Sequence, residues 1–299
     1  MPLESPHVVV PEQAIAPTTD GVRPPPRPPQ GGVPPRGRGG DPGARGRRVA
    51  CCTALVTTRI NLAELASVGG FFALRTGPAP GAAAPFTQVY APPAEAGPDP
   101  LTLRVRKVAG RLGAPEDRIA VSVAQLGLAA RLWSVGLGSA ALYGAVPDLD
   151  LAQLRWDADG TSPDDLWLGD VRLLPADAGT VRDVVQHGHL APLADALRSR
   201  YRISAGLLWG NAGSALAGAA RELHGWAARE GRADVGARAL ELAAALFDHP
   251  DLRDTGTLRG TAFRRRSCCL YYRCPGGGVC GDCCFERPPR RSSPGASSG

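Results

Sequence analysis

The feature that most constrains this chain is a cysteine-rich segment near its C-terminus. Residues 263–287 read FRRRSCCLYYRCPGGGVCGDCCFER and hold six of the eight cysteines. Four of these follow one pattern: the adjacent pair Cys268 and Cys269, ten intervening residues, and then Cys280 and Cys283 as C-x-x-C. A C-x-x-C turn presents two sulfurs to one centre, as metal sites with thiolate ligands require. The pattern therefore predicts a site with four thiolate ligands.

The gap between the two pairs predicts how they come together. It contains Pro275 and the glycines at positions 276–278, and glycine accepts the left-handed dihedrals that let a chain turn back sharply. A disulfide within an adjacent pair is unfavourable, because neighbouring Cα atoms lie about 3.8 Å apart and a disulfide usually spans roughly 4.4–6.8 Å. The same argument applies to Cys51 and Cys52, whose role the sequence leaves open. We interpret the C-terminal cluster as a metal site.

The spacing also bears on the metal. Structural zinc sites commonly use two C-x-x-C or C-x-x-H turns, whereas one pair here is adjacent and lacks the two-residue turn. A [2Fe-2S] cluster distributes four thiolates over two irons, so its ligands need not follow the spacing of a zinc site. The pattern favours an iron–sulfur cluster, and zinc remains the alternative.

These residues resemble the C-terminal signature of the FhuF-like ferric-siderophore reductases, which is two adjacent cysteines, ten residues and C-x-x-C. The flanks RRRSCCLYYR and GGGVCGDC are similar to the actinobacterial branch of that family. So are two upstream stretches, GLAARLWSVGLGSAALYGAVPDLD from Gly127 and LLWGNAGSALAGAAREL from Leu207. The resemblance covers roughly residues 49–287.

The resemblance implies one-electron reduction of the iron in a ferric siderophore, which releases Fe(II). It implies a [2Fe-2S] cluster bound by Cys268, Cys269, Cys280 and Cys283. The chain has no nicotinamide or flavin fingerprint, so we expect an external electron donor. Two other functions stay open: a zinc-stabilised binding module without redox activity, and an iron–sulfur electron carrier without a siderophore site.

Two cysteines beside the signature depart from the family pattern. We interpret Cys274 and Cys284 as small apolar substitutes. Cys284 directly follows Cys283. If one of the four predicted ligands is wrong, we therefore expect Cys284 to bind in place of Cys283. Four arginines, Arg264, Arg265, Arg266 and Arg273, lie near enough in sequence to stabilise the reduced form of an anionic cluster.

The charge distribution argues against a nucleic-acid partner. The net charge is +6, but residues 1–48 carry +3 and residues 263–299 carry +5, which leaves −2 for the rest. The folded body therefore has no predicted basic face. We expect the chain to be cytoplasmic, because its first residues lack the pattern of a secretory signal and its thiols must stay reduced.

The predicted fold class is α+β and predominantly helical, with a small antiparallel β-hairpin. We divide the chain into a disordered Pro/Gly/Arg-rich extension (1–48), a mainly helical domain (49–262), the cysteine-rich iron–sulfur segment (263–287) and a disordered tail (288–299).

Three elements of the body are specific enough to test. Asn61 is predicted to cap a helix. The segment 115–147, with Pro115 in its first turn, is predicted to be a buried helix broken near residues 136–138; Arg131 leaves its apolar runs too short to span a membrane. Residues 154–168 are predicted to form a hairpin in which Trp156 and Trp167 pack on the helices.

The remaining helices contain polar residues whose roles can be predicted. Asn211 is the candidate for a buried polar group. His187 and His189 have a spacing that suits a metal, but without nearby carboxylates or thiols in the sequence we interpret them as polar surface or helix-end groups.

Overall fold

The computed structural model describes residues 60–93 and 99–289. The predicted extension 1–48, Cys51, Cys52 and most of the predicted tail 288–299 lie outside these residues. The domain boundaries drawn from the sequence therefore stay predictions.

Helices dominate the described residues, and the α+β, mainly helical fold class is confirmed. The α-helices are α1 (Leu62–Val68), α2 (Phe86–Tyr90), α3 (Pro100–Leu112), α4 (Asp117–Tyr143), α5 (Ala178–Val181), α6 (Ala191–Arg200), α7 (Ala205–Arg229), α8 (Ala233–Phe247) and α9 (Pro250–Arg253). A π-helix, Arg182–Leu190, joins α5 to α6, and 3-10 turns occupy Gly70–Phe72 and Tyr271–Arg273. The predicted cap is present, because Asn61 Oδ1 accepts hydrogen bonds from the amides of Ala63 and Glu64.

Helix α4 is the centre of the core and packs against α3, α7 and α8. Its apolar residues are buried on nearly every face, as expected for a helix surrounded by others. By length and composition α4 could cross a bilayer, but most of it is buried inside the protein, which is the behaviour of a core helix. The helix begins at Asp117, so Pro115 precedes it and does not occupy its first turn.

The predicted break in this helix is wrong. Residues 136–138 lie within the continuous helix α4, where their small size lets other elements approach. A Cβ atom on Gly136 would lie 2.7 Å from Val185 Cγ2, and one on Gly138 would lie 2.7 Å from Phe72 Cδ1. The glycines therefore serve packing, at the cost of some helix propensity.

Short strands form three small sheets within residues 60–93 and 99–289. The strands are β1 (Arg75–Thr76), β2 (Ala84–Pro85), β3 (Ala145–Pro147), β4 (Leu154–Trp156), β5 (Leu166–Leu168), β6 (Leu173–Pro175), β7 (Gly256–Arg259) and β8 (Ala262–Arg265). One sheet has the order β1-β5-β4-β2, while β3 pairs with β6 and β7 with β8, both antiparallel. The predicted hairpin is confirmed as β4–β5, in which Leu154 faces Leu168.

The two tryptophans of this hairpin behave differently. Trp156 is 2% exposed and stacks against Phe86, as predicted. Trp167 lies between Leu166 and Leu168, which are both buried, so strand alternation directs it to the opposite face. There its indole N–H donates to the carbonyl oxygen of Asp164. The prediction that both tryptophans pack on the helices is therefore wrong for Trp167.

A buried ion pair joins α4 to the loop after β4. Arg131 Nε lies 2.9 Å from Asp165 Oδ1, and both side chains are 2% exposed. The guanidinium also donates to the carbonyl oxygens of Gly70 and Phe71. The charge that interrupts the apolar sequence of α4 thus connects three parts of the body.

Candidate metal centre

The cysteine-rich segment leaves the fold directly from a β-hairpin. Strand β8 ends at Arg265, whose amide donates to the carbonyl oxygen of Asp282 at 3.0 Å. The next amide, of Arg266, donates to the carbonyl oxygen of Thr255 at 2.9 Å. The start of the segment is therefore held both by the body and by the C-x-x-C turn that follows later in the chain.

The glycine-containing gap turns back as predicted. Gly276 has φ +69°. A Cβ atom on Gly277 would lie 2.2 Å from the carbonyl oxygen of Tyr271, so this position excludes any side chain. The turn brings the two cysteine pairs together, and Cys269 Sγ lies 3.7 Å from Cys280 Sγ.

Five thiols gather at this point. Cys269 interacts with both Cys268 and Cys280, and Cys280 also experiences the charge of Cys283. Cys284 is hydrogen-bonded to Cys283 and interacts electrostatically with Cys268. The structure thus brings the four predicted ligands together and leaves Cys284 close to them. Cys274 is 3% exposed and Cys269 is 4% exposed, so burial does not distinguish the two, and the interpretation of Cys274 as an apolar substitute stays a prediction.

The thiols favour one shared negative charge at the buried member of the group. Hydrogen bonds from Cys268 and Cys280, together with the charge of Arg265, lower the pKa of Cys269 from 9.0 to about 2. The pKa values of Cys268 and Cys280 are raised, because each is hydrogen-bonded to Cys269 and because burial disfavours a second thiolate. Thiolates are the form that binds a metal, so this group can offer a thiolate to a metal ion.

Backbone amides point at two of the sulfurs. The amide of Leu270 donates to Cys268 Sγ at 3.2 Å, and that of Phe285 donates to Cys283 Sγ at 3.4 Å. Leu270 has φ +68°, an uncommon conformation for a residue with a side chain. Hydrogen bonds to ligand sulfurs are among the interactions that set the potential of iron–sulfur clusters.

Arg265 tests whether the site suits an anionic cluster. It is 2% exposed, and its Nε and Nη1 atoms are buried without a hydrogen-bond partner among the described residues. Its charge favours the thiolate forms of Cys269, Cys280 and Cys284. A buried cation with unused donors beside thiols is costly unless an anion offsets it. A cluster with four thiolate ligands carries that negative charge, so the residues fit a [2Fe-2S] group.

The other three arginines singled out from the sequence are placed differently. Arg264 and Arg266 are exposed, and Arg266 pairs with Asp254 at 2.9 Å. Arg273 donates to Glu116 Oε1 at 2.7 Å, which attaches the 3-10 turn to the start of α4. The sequence predicts the same role near the cluster for all four arginines. Only burial in the tertiary structure distinguishes Arg265.

Buried polar groups attach the segment to the two longest helices. Ser122 Oγ on α4 donates to the carbonyl oxygen of Cys269 at 2.8 Å. Asn211 on α7 donates to the backbone oxygen of Ser122 at 2.9 Å and accepts from Arg265 Nη2. The prediction of a buried polar role for Asn211 is confirmed. The role of Ser122 was missed, and its sequence context of small and apolar residues gives no signal for it.

A groove lies between α4 and α7 and ends on the C-x-x-C turn. It encloses about 650 Å³, including space open to solvent. Its walls are mainly apolar with a few polar groups; the lining includes Phe71, Leu126, Ala130, Ala219, Arg221, Glu222 and Asp282. Asp282, between Cys280 and Cys283 in sequence, accepts from Ser214 Oγ at 2.6 Å and lies 3.3 Å from Arg221 Nη1.

Comparison with known proteins gives two family matches. Residues 128–259 match the family described as "Ferric iron reductase FhuF-like transporter". Residues 265–285, which include all five grouped thiols, match the "FhuF 2Fe-2S C-terminal domain". Together the matched segments make up just over half of the chain. No curated protein is significantly similar to it.

The second match agrees with the chemistry of the site. It confirms the [2Fe-2S] cofactor predicted from the sequence and gives no support to the zinc alternative. The assignment of Cys268, Cys269, Cys280 and Cys283 as the four ligands stays a prediction, because Cys284 lies in the same group. The chain belongs to the family of FhuF-like ferric iron reductases, and its C-terminal segment is the [2Fe-2S] domain of that family.

Proposed function

We propose that this protein is a cytoplasmic ferric-siderophore reductase that receives electrons from an external donor. The substrate is the iron of a ferric siderophore, and the reaction is Fe(III) plus one electron giving Fe(II). Fe(III) is a hard ion bound tightly by oxygen donors, and Fe(II) is bound by them more weakly, so reduction releases the metal. When bound, the [2Fe-2S] group supplies single electrons.

The observation that supports this function best is the groove that ends on Asp282. Its volume, about 650 Å³, includes space open to solvent, so the groove could accept a chelate from outside. Mainly apolar walls with a few polar groups are typical of small-molecule sites. Asp282 belongs to the C-x-x-C turn, so a chelate in the groove would lie next to the proposed ligand segment.

Under this proposal the residues of the groove have different roles. Phe71, Leu126 and Ala130 would contact the organic part of the chelate. Arg221 and Glu222 would contact its polar groups. Asp282, held by Ser214, keeps the C-x-x-C turn against the groove. Arg265 offsets negative charge near the same turn, and its amide donates to the Asp282 carbonyl.

A pair of glycines on helix α7 provides the test. Gly218 lines the groove, and a Cβ atom there would meet only Arg221 Nη2, at 3.9 Å. Gly225 lies on the same helix outside the groove, and a Cβ atom there would meet only Arg229 Nη1, at 3.5 Å. Gly218→Phe should therefore obstruct the groove, whereas Gly225→Phe should leave it open.

The measurement is reoxidation of the dithionite-reduced protein by a panel of ferric hydroxamates and catecholates, mixed anaerobically. We expect saturation with at least one chelate and a rise in KM of about tenfold or more in Gly218→Phe, as for loss of one good contact of about 1.4 kcal/mol. Gly225→Phe should resemble the wild type. A carrier without a siderophore site would show no saturation and equal rates in both variants, which would disprove the proposal.

A further inference from the structure

A second group of metal-binding side chains lies outside the cysteine site. His187 belongs to the π-helix Arg182–Leu190, while His249 and Asp251 lie at the start of helix α9. One ligand atom from each of the three lies within 4.8 Å of the others. Residues 62 positions apart in the sequence thus converge on one point, which the sequence did not suggest.

The three candidate ligand atoms lie close to each other. His187 Nε2 lies 3.7 Å from Asp251 Oδ2, and His249 Nδ1 lies 3.4 Å from the same oxygen. The two imidazole rings are 5.9 Å apart and inclined by 67°, so they do not stack. His249 Nδ1 is buried and makes no hydrogen bond within the described part of the chain. Its contact with Asp251 Oδ2 at 3.4 Å is too poorly aligned to be a hydrogen bond, and a metal ion could bind both atoms.

Neighbouring side chains hold the ligands in place. Asp183 Oδ1 lies 3.2 Å from His187 Nδ1, so it can hold the proton on that nitrogen and leave Nε2 available. Metal-binding histidines commonly donate their second nitrogen to a carboxylate in this way. Gln186 Nε2 donates to Asp251 Oδ2 at 2.6 Å, which fixes the carboxylate.

The local backbone and exposure also suit a site that a metal can enter. π-helical turns are rare and occur frequently at functional sites. The side chains of His187, His249 and Asp251 are 46%, 28% and 41% exposed, so an ion could reach them from solvent and keep bound water.

We propose that His187, His249 and Asp251 bind a divalent transition-metal ion through two imidazole nitrogens and one carboxylate oxygen. Zinc commonly takes this donor set with a water at a remaining position. The site is separate from the cysteine cluster and does not depend on the reductase function.

The test is equilibrium dialysis of anaerobic, cluster-loaded protein against Zn²⁺, with zinc and iron both counted by mass spectrometry. The wild type should bind one zinc per chain without losing iron. His187→Ala and Asp251→Ala should each weaken binding at least about tenfold, as is usual when a ligand is removed, since even outer-shell changes give roughly 10–100-fold losses. His224→Ala is the matched control and should bind as the wild type does.

A second readout covers variants of reduced stability. Zinc that binds the folded state raises the melting temperature, so its addition should stabilise the wild type and His224→Ala but neither ligand variant. Zinc binding that is absent from the wild type would overturn the proposal. So would binding that persists in both ligand variants, because the ion would then occupy another site such as the thiols.

Discussion

Arg265 Nη2 donates a hydrogen bond to Asn211 Oδ1, which joins the strand before the cysteines to the middle of helix α7. Asn211 passes this connection to Ser122 on helix α4, and Ser122 reaches the carbonyl oxygen of Cys269. Arg265 therefore belongs both to the helical body and to the surroundings of the thiols. The [2Fe-2S] segment is packed into the fold, so residues of the helical body contribute to the electrostatic environment of the thiols.

Replacing Arg265 should lower the reduction potential of the cluster. The reduced state carries one more negative charge, and a buried cation stabilises it more than an exposed one does. We expect Arg265→Gln to lower the potential by about 60 mV or more, a tenfold change for a one-electron couple. Arg264→Gln removes the same charge from a position 59% exposed and should change the potential much less.

The measurement is an anaerobic redox titration followed in the visible spectrum. Arg265→Lys, which keeps the charge, should lie closer to the wild type than Arg265→Gln does. Iron and sulfide content must match between variants, so that only loaded protein is compared. Equal shifts in Arg264→Gln and Arg265→Gln would contradict a special role for the buried guanidinium.

Serine substitutions should separate the ligands from the other thiol of the group. Cys269→Ser should abolish the cluster, because Cys269 is the buried thiol with the lowered pKa and touches Cys280. Cys283→Ser should also lose iron and sulfide, whereas Cys284→Ser should retain both. Iron and sulfide analysis of anaerobically purified protein decides the matter. The reverse result for Cys283 and Cys284 would exchange their roles.

Two glycines of helix α4 should respond to alanine in opposite directions. Gly138→Ala would place a Cβ atom 2.7 Å from Phe72 Cδ1 and 2.9 Å from Leu65 Cδ1, so we expect a loss of about 1–3 kcal/mol of unfolding free energy. A Cβ atom on Gly127 would meet no other atom within 4 Å, so Gly127→Ala should gain up to about 1 kcal/mol in helix propensity. Melting temperatures recorded anaerobically test both, and equal shifts would contradict the packing explanation.

His189 should make the fold sensitive to mild acid. His189 lies in the last turn of the π-helix, as a helix-end group would, but the interpretation as a surface group is wrong because the residue is fully buried. Its Nε2 lies 2.6 Å from the carbonyl oxygen of Leu149, which can only accept, so Nδ1 accepts from the Tyr90 hydroxyl at 3.0 Å. Burial lowers the pKa of His189 from 6.5 to about 4.

The sign of the effect follows from proton binding. Between these pKa values the unfolded chain binds a proton that the folded chain does not, so the stabilisation present above pH 6.5 is lost as the pH falls towards 4. From about pH 7.5 to about pH 5 the loss should be about 2 kcal/mol. His189→Gln should flatten the dependence of melting temperature on pH, and His224→Gln should keep the wild-type slope. An unchanged slope in His189→Gln would assign the acid sensitivity to other groups.

Features that depend on local spacing could be predicted from the sequence. The adjacent pair, the ten-residue gap and the C-x-x-C turn predicted a metal site with four thiolates and favoured an iron–sulfur cluster over zinc, because ligand spacing is a local property of the chain. The [2Fe-2S] assignment came from the family resemblance that these residues carry. Helical periodicity, the cap at Asn61 and the β4–β5 hairpin followed from the same kind of short-range pattern.

Which of several similar residues matters depends on how the chain packs. Burial distinguishes Arg265 from its three exposed or paired neighbours, and close packing keeps Gly138 inside a continuous helix. The convergence of His187 with His249 and Asp251, like the groove beside Asp282, depends on elements distant in sequence. Burial, close approach and convergence are properties of the packed chain, so they cannot be predicted from a local sequence pattern.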